Sequence, residues 1–407
     1  MPEYQSRIMP PADSSGPSLF GVPIVFLLFG ATLLGVLVLH HRSLEVSLVG
    51  LAGIVGVRLL FSEFDLGRHL DHEWVQLTNL FGLLVGYALL ADHFGRSRFT
   101  TLLPRILPRG AIGCFSLLFL VWLLSGLLDN IAAAMIGATT AAGLFKRRVH
   151  LGYLAAIVAA ANSGGAGSVL GDTTTTMLWL NGVRPLAVLP AYVGAASALA
   201  VFGAIASLQQ HRHAPIDTLD AGDVSIDARR LVIVMAALAA MVGTNIVVNN
   251  MYRSRAESLP FLAIALWLVL LAGSPLRAVA WRLVPSACRR SLFLLALVFS
   301  ASLMPVSLLP KPSWRATLGL GFVSSLFDNI PLTKVALTQG GYDWALLAYS
   351  VGCGGSMVWF GSSAGVAIAG LFPEAKSILR WTRAAWHVPL GFLAGFFTLY
   401  VLRGWSP

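Results

Sequence analysis

Asn162–Trp179 reads NSGGAGSVLGDTTTTMLW. Apolar sequence flanks it on both sides, yet it holds four glycines, an aspartate and four consecutive threonines. Gly164, Gly165, Gly167 and Gly171 weaken any helix run through this stretch, because glycine loses more backbone freedom on ordering than other residues. The expectation is a helix that breaks here, with glycines that let the chain unwind and admit close approach. A half-helix ending near Asn162 leaves carbonyls without partners. One starting after Gly171 presents free N–H groups and the positive end of its dipole. Thr173, Thr174 and Thr175 put hydroxyls on several helix faces, so only some can face the gap. Asp172 stands where aspartate is among the best N-caps, and a capping carboxylate still keeps a lone pair for a cation. The break predicts an oxygen-rich pocket inside apolar sequence.

The surrounding composition says what kind of solvent that pocket is hidden from. The chain has 407 residues, 57% hydrophobic and only 11% charged, with a mean hydropathy of +0.77; a soluble domain carries about 25% charged residues. Runs at 20–40, 188–208, 231–248 and 388–402 approach the roughly 20 apolar residues that cross a bilayer. The fold class expected is all-α, a polytopic membrane protein. Residues 1–19 read as a polar tail without a cleavable signal segment. The net charge of +10 comes from basic residues in short loops, which fits the positive-inside rule better than nucleic-acid binding. Cys114, Cys288 and Cys353 lack metal-like spacing and read as small apolar fillers. No Walker A motif is present, which argues against an ATP-driven pump. No HExxH motif, Ser–His pair or paired intramembrane acids of the GxGD type emerge, so no enzyme and no cofactor are expected.

The chain is also duplicated. LLDNIAAAMIGATT (Leu127–Thr140) has a counterpart in LFDNIPLTKVALTQ (Leu326–Gln339), with Asp129 and Asp328 199 residues apart. GGAGSVLGD from Gly164 matches GGSMVWFGS from Gly354, so that Gly164, Gly165 and Gly171 fall on Gly354, Gly355 and Gly361 at an offset of 190. Two motifs recurring in the same order mark an internal repeat. The polar segment 209–230 divides repeat 1 (20–208) from repeat 2 (231–407) and is expected to be a cytoplasmic linker. Spans are expected at 20–40, 44–61, 75–94, 111–144, 151–182 and 187–208, then at 231–249, 260–276, 291–309, 315–340, 343–371 and 385–402.

The DN segments, 111–144 and 315–340, are best read as helical hairpins that enter and leave on one side, with Asp-Asn at the tip. Irregular backbone at that depth is tolerated where protein or a water-filled cavity surrounds it. Five true crossings then remain per half, an odd number, so the second half is inverted. Loop charges agree. The side that includes Lys146–Arg148 collects 18 basic residues and the other side 8, with Arg58 and Lys334 inside membrane segments. The bias places both termini outside and gives about ten crossings plus two re-entrant hairpins, in a bacterial-type inner (plasma) membrane.

Inverted repeats with interrupted helices place substrate at their interface near the bilayer midplane. An aspartate at that depth costs on the order of 2.5–3.5 kcal/mol even on a lenient insertion scale, so keeping Asp129 and Asp328 at equivalent positions points to function. Hard alkali cations favour oxygen ligands. A proton is the other occupant, because burial favours the neutral acid and a bound cation favours the carboxylate. Competition of Na+ and H+ for Asp129, Asp172 and Asp328 yields antiport without covalent chemistry. An anion carrier for a carboxylate such as citrate, or for an oxyanion, is the alternative on the same fold.

At these residues the chain resembles the NhaD-type sodium/proton antiporters of the ion transporter superfamily, which also holds citrate/dicarboxylate and arsenite transporters. GDTTTTMLW is similar to that family's GD-V-TTTMLW signature, SSLFDNIPL to its second DN-[VI]-P segment, and GCGGSMVWFGSSAGVA to its GGS…GSAAGVA. LRWTR at Leu379–Arg383 resembles the LRWTP before its last helix. The resemblance implies Na+/H+ (or Li+/H+) exchange, with Asp129, Asn130, Asp172, Thr173, Thr174, Thr175, Asp328, Asn329, Ser362 and Ser363 as ion-site candidates. It also implies a homodimer with a helical scaffold and an elevator-like transport domain. The lipid bilayer, small cations and protons are then the only other partners expected, with no nucleic acid. Two features depart from the family. An acidic residue is usual in the third span, where 75–94 offers only Thr78 and Asn79, with Asp92 at its end. Lys334 stands in the second hairpin, expected either to snorkel to the interface or to pair with a site carboxylate. His387, alone on an apolar span, reads as a hydrogen-bonded structural histidine or a proton relay.

Overall fold

The computed structural model describes residues 17–39, 42–99, 107–216, 226–251 and 258–407. Residues 1–16 of the expected tail, 217–225 of the linker, and Arg7, Arg105, Arg253 and Arg255 of the charge count lie outside them. The protein is an all-α polytopic membrane protein. Among the described residues, the strands are a two-residue pair, Ser18–Leu19 with Val22–Pro23. Among the described residues, five helices are long and apolar enough to cross a membrane, or six if one pair bent by 57° counts as a single span.

Among the described residues, the α-helices of seven or more residues are, in chain order, α1 (Ile24–Val38), α2 (Ser43–Phe61), α3 (Leu66–Arg96), α4 (Gly110–Ser125), α5 (Asn130–Leu144), α6 (Leu151–Gly165), α7 (Thr173–Leu180) and α8 (Ala191–His213). After the polar divider come α9 (Ala228–Met251), α10 (Phe261–Gly273), α11 (Val284–Ser302), α12 (Trp314–Ser324), α13 (Asn329–Gln339), α14 (Trp344–Gly354), α15 (Ser363–Leu371), α16 (Ile378–Ala384) and α17 (His387–Arg403). The DN segments are not single rods. α4 and α5, of 16 and 15 residues, meet at a turn carrying Asp129. At 1.5 Å per residue each rises only about 24 Å, short of the roughly 30 Å hydrocarbon core.

Three expected boundaries shift. α3 starts at Leu66 instead of 75, because Asp65 caps it by accepting from the Arg68 N–H at 3.1 Å. The polar turn LGRHLDHE masked that start to a hydropathy reading. α11 runs from 284 to 302 instead of 291 to 309, giving way to turns at Leu303 and Met304 before Pro305. The divider is helical at both ends, since α8 continues to His213 and α9 begins at Ala228.

The helices pack as two units. In one, α1 lies on α2, α2 on α11, α11 on α3, and α3 on α9 and α10. In the other, α8 lies along α17, and α4, α6 and α14 pack around them, with α5 on α6 and α15, α12 on α14, and α13 on α7. Small residues let these backbones close up, as is usual for helices in lipid. A Cβ on Gly194 would meet the Gly395 carbonyl oxygen at 3.0 Å, where α8 and α17 cross. Every residue from Gly152 to Gly165 is buried, so α6 is wrapped by protein on all sides. By contrast, Leu48, Val49, Leu60, Val232, Met235 and Leu268 on α2, α9 and α10 are exposed, an outer apolar surface suited to lipid. The main junction between the units is α11 against α13, with α3 touching α7 and α5.

One cap ties the first unit together. Asn79, buried in α3, accepts a hydrogen bond from the Ala263 N–H at 2.9 Å, one of the unpaired donors at the start of α10. Asn79→Ala is expected to lower stability by about 1 kcal/mol, visible as a lower melting temperature in detergent with transport kinetics preserved.

Candidate ion-binding site

Two breaks and two hairpin tips meet at the centre of the second unit. α6 ends at Gly165 and α7 begins at Thr173, with turns between them; α14 ends at Gly354 and α15 begins at Ser363. None of the break glycines has a positive φ, so close approach is what requires them. A Cβ on Gly164 would run into the Trp122 carbonyl, and one on Gly354 into the Gly321 carbonyl. Gly171 and Gly361 face the carbonyls of Ser125 and Ser325. Gly165 and Gly355 face those of Gly171 and Gly361, and Gly167 lies under the Tyr192 ring. The hairpins are stitched to the broken helices in matching fashion: the Ser125 hydroxyl donates to the Ala161 carbonyl, and the Ser324 hydroxyl to Val351 at 2.6 Å.

These contacts deliver both tips to one carboxylate. Asn130 Nδ2 donates to Asp172 Oδ1 at 3.1 Å, and Asn329 Nδ2 donates to Asp172 Oδ2 at 3.4 Å. Asn130 also donates to Asn162 Oδ1 at 3.1 Å. Asn162 Nδ2 in turn reaches the hydroxyls of Ser356 and Ser362, both at 2.9 Å. The network runs through residues that are almost wholly buried: Asn162 is 0% exposed, Asp172 2% and Ser362 3%. Asp172 occupies the N-cap position of α7 but makes no side-chain cap bond, so its carboxylate is committed to the two asparagines.

The other candidates divide. Asp328 caps α13 by accepting from the Ile330 N–H at 3.1 Å, and takes a second bond from the Ser363 hydroxyl at 3.1 Å. Asp129, at the first tip, is half-buried and makes no cap bond. Each immediately precedes the asparagine that reaches Asp172. Among the described residues, however, no three His, Cys, Asp or Glu side chains gather as a metal-ligand group. In this conformation Asp129, Asp172 and Asp328 therefore flank a polar centre and do not close a single coordination shell. Of the threonines, Thr175 is spent on the carbonyls of Ser168 and Asp172, at 2.5 and 2.9 Å. Thr173 and Thr174 are buried beside Asp172.

Three residues stand apart from the sequence reading. Ser356 joins the network unannounced; its one signal is that it follows the paired glycines of the second break. Lys334 does not snorkel and does not touch a site aspartate. It is buried against Glu73, two turns into α3, with Nζ at 2.8 and 2.7 Å from the two carboxylate oxygens. The third helix thus does carry a buried acid, missed because its start was set at 75. His387 is fully buried, and neither ring nitrogen has a hydrogen-bond partner among the described residues, so the hydrogen-bonded structural role does not hold.

Fold and site together define a class: a polytopic helical membrane protein whose broken helices and Asp-Asn turns surround a buried polar centre. Within that class, the chain's relatives are sodium/proton antiporters. It is 28% identical to Sodium/proton antiporter 1 of Arabidopsis thaliana over 293 aligned positions, 62% of this chain and 49% of that protein. It is 26% identical to Sodium/proton antiporter 2 of the same plant over 431 aligned positions, 91% of this chain and 97% of that protein. A shorter match, 34% over 87 residues, covers 20% of this chain and 17% of the Na(+)/H(+) antiporter NhaD of Halomonas elongata. The chain thus spans about half of the first relative and nearly all of the second. No family model matches it.

Proposed function

We propose that this protein is a secondary active transporter that exchanges Na+ (or Li+) for H+ by alternating access. One observation carries the reading: asparagines from two separate hairpin tips hold the two oxygens of one buried carboxylate, Asp172. A carboxylate among neutral amides and hydroxyls is a hard-oxygen site for an alkali cation, and it accepts a proton in the cation's place. Asp129 and Asp328 supply further negative potential, and Asn162, Thr173, Thr174, Ser362 and Ser363 neutral oxygens. The relatives' names support the same ions.

Inverted repeats supply the movement in this reading. The order α1–α7 recurs as α9–α15, and the packing of α2 on α11 and α4 on α6 has counterparts in α10 on α3 and α12 on α14. The unit holding α4–α8 and α12–α17 slides along the bilayer normal against the unit holding α1–α3 and α9–α11. The protein works as a homodimer in a bacterial-type inner membrane, with 209–230 on the cytoplasmic side. Lys334, neutralised by Glu73, offers no free positive charge to an anion, which weighs against a citrate-like substrate.

Proteoliposomes with an imposed pH gradient and a trapped pH dye test the reading. Addition of NaCl or LiCl is expected to release protons, while KCl and sodium-free citrate give the response of empty vesicles. A response to citrate alone overturns it.

A further inference from the structure

The Glu73–Lys334 pair joins the two packing units beside their main junction, from α3 to α13. Glu73 belongs to α3 of the first unit and Lys334 to α13 of the second. Both are almost fully buried, with side chains 9% and 5% exposed. Lys334 reaches both carboxylate oxygens, and the Gln76 side-chain oxygen accepts from it at 3.4 Å. A small cleft lies beside the pair, bordered by Gln76, Met177, Leu180 and Val298. It too is built from both units, since Met177 and Leu180 lie on α7 while Gln76 and Val298 lie on α3 and α11.

Stability alone does not account for such a pair. Two buried charges lose their hydration, and apolar residues of like volume often serve the fold equally well, whereas register and switching are the better-attested uses. The two hairpins also differ here. In the 199-residue register that aligns Asp129 with Asp328, the position of Lys334 corresponds to Met135, which carries no charge. The ion pair therefore belongs to one hairpin only, and so to one side of the central carboxylate.

We propose that Glu73 and Lys334 form a one-sided lock that holds the second unit against α3, closing the route past Leu180 and biasing the protein towards this conformation. The inference rests on the alternating-access reading and deepens it. Sliding of α13 past α3 separates Nζ from the carboxylate, so the opposite state opens only when the pair breaks. By the loop charges, Glu73 and Leu180 lie towards the outer face, so the lock closes the outer route.

Accessibility tests the lock without any ion flux. In a background with Cys114, Cys288 and Cys353 replaced by alanine, Leu180→Cys reports on the cleft through labelling by a membrane-impermeant maleimide. With the pair intact, labelling is slow. In E73Q/K334Q, which leaves no unpaired charge, it is expected to rise about tenfold, as for release of a minor state held below about 10%. The exchanged pair E73K/K334E restores slow labelling. Size-exclusion profiles and thermal melts confirm that the double variants are folded. Parental labelling in folded E73Q/K334Q, or fast labelling in folded E73K/K334E, overturns the lock. Failure of sodium to release protons, with the labelling pattern intact, overturns the assigned ions instead and leaves the lock standing.

Discussion

Asp172→Asn is expected to reduce sodium-evoked proton release to the level of empty vesicles, a loss of at least about 100-fold, equivalent to about 2.7 kcal/mol. The substitution keeps size and shape but removes the one acid to which both hairpin tips are tied. An amide binds no proton at working pH, and it replaces an oxygen that accepts with a nitrogen that donates. At least one of Asn130 and Asn329 then points a donor at a donor. Loss of transport should therefore accompany an intact folded protein of unchanged size-exclusion profile. Asn329→Ala removes one neutral donor to the carboxylate; a hydrogen bond to a charged group is worth about 1.5–3 kcal/mol, so a loss of roughly tenfold or more is expected. Sodium-evoked release of parental size in Asp172→Asn sinks the proposed site.

Gly354→Ala and Gly164→Ala are expected to damage the fold itself. Their added methyl groups would enter the carbonyls of Gly321 and Trp122, the backbone of the facing hairpin helices. Backbone cannot rotate aside as a long side chain does, so the hairpin must shift and with it the tip that holds Asp172. Overpacking of this kind costs about 1–3 kcal/mol and at times more. Melting in detergent should fall on the order of 5 °C, by the usual relation between free energy and midpoint for larger domains. Gly370, on α15, has open space where a Cβ would sit. Gly370→Ala should leave stability unchanged or raise it by about 0.5–1 kcal/mol, as expected of alanine for glycine in a helix. Equal losses at 354 and 370 refute the close-approach argument.

Composition and local chemistry carried far in this chain. Few charges and long apolar runs dictate a helical membrane protein, because only satisfied backbone survives in hydrocarbon. Glycine clusters before Asp172 and Ser362 mark the breaks, and the repeated Asp-Asn pairs mark the turns before α5 and α13, since both patterns oppose the apolar composition around them. Where local signals conflict, element boundaries are hidden. The polar turn after Asp65 hid the start of α3, and with it Glu73.

What the sequence determined by itself was the class of fold, the positions of the breaks and the set of polar residues worth watching, all of which follow from local propensity and hydropathy. Partnership was decided only by the tertiary structure. That Asn130 and Asn329 meet on Asp172, that Ser356 joins Asn162, and that Lys334 pairs with Glu73 depend on side chains 42 to 261 residues apart. No local pattern encodes such distances. They are set by how closely glycine-lined helices approach, which is a property of the packed molecule.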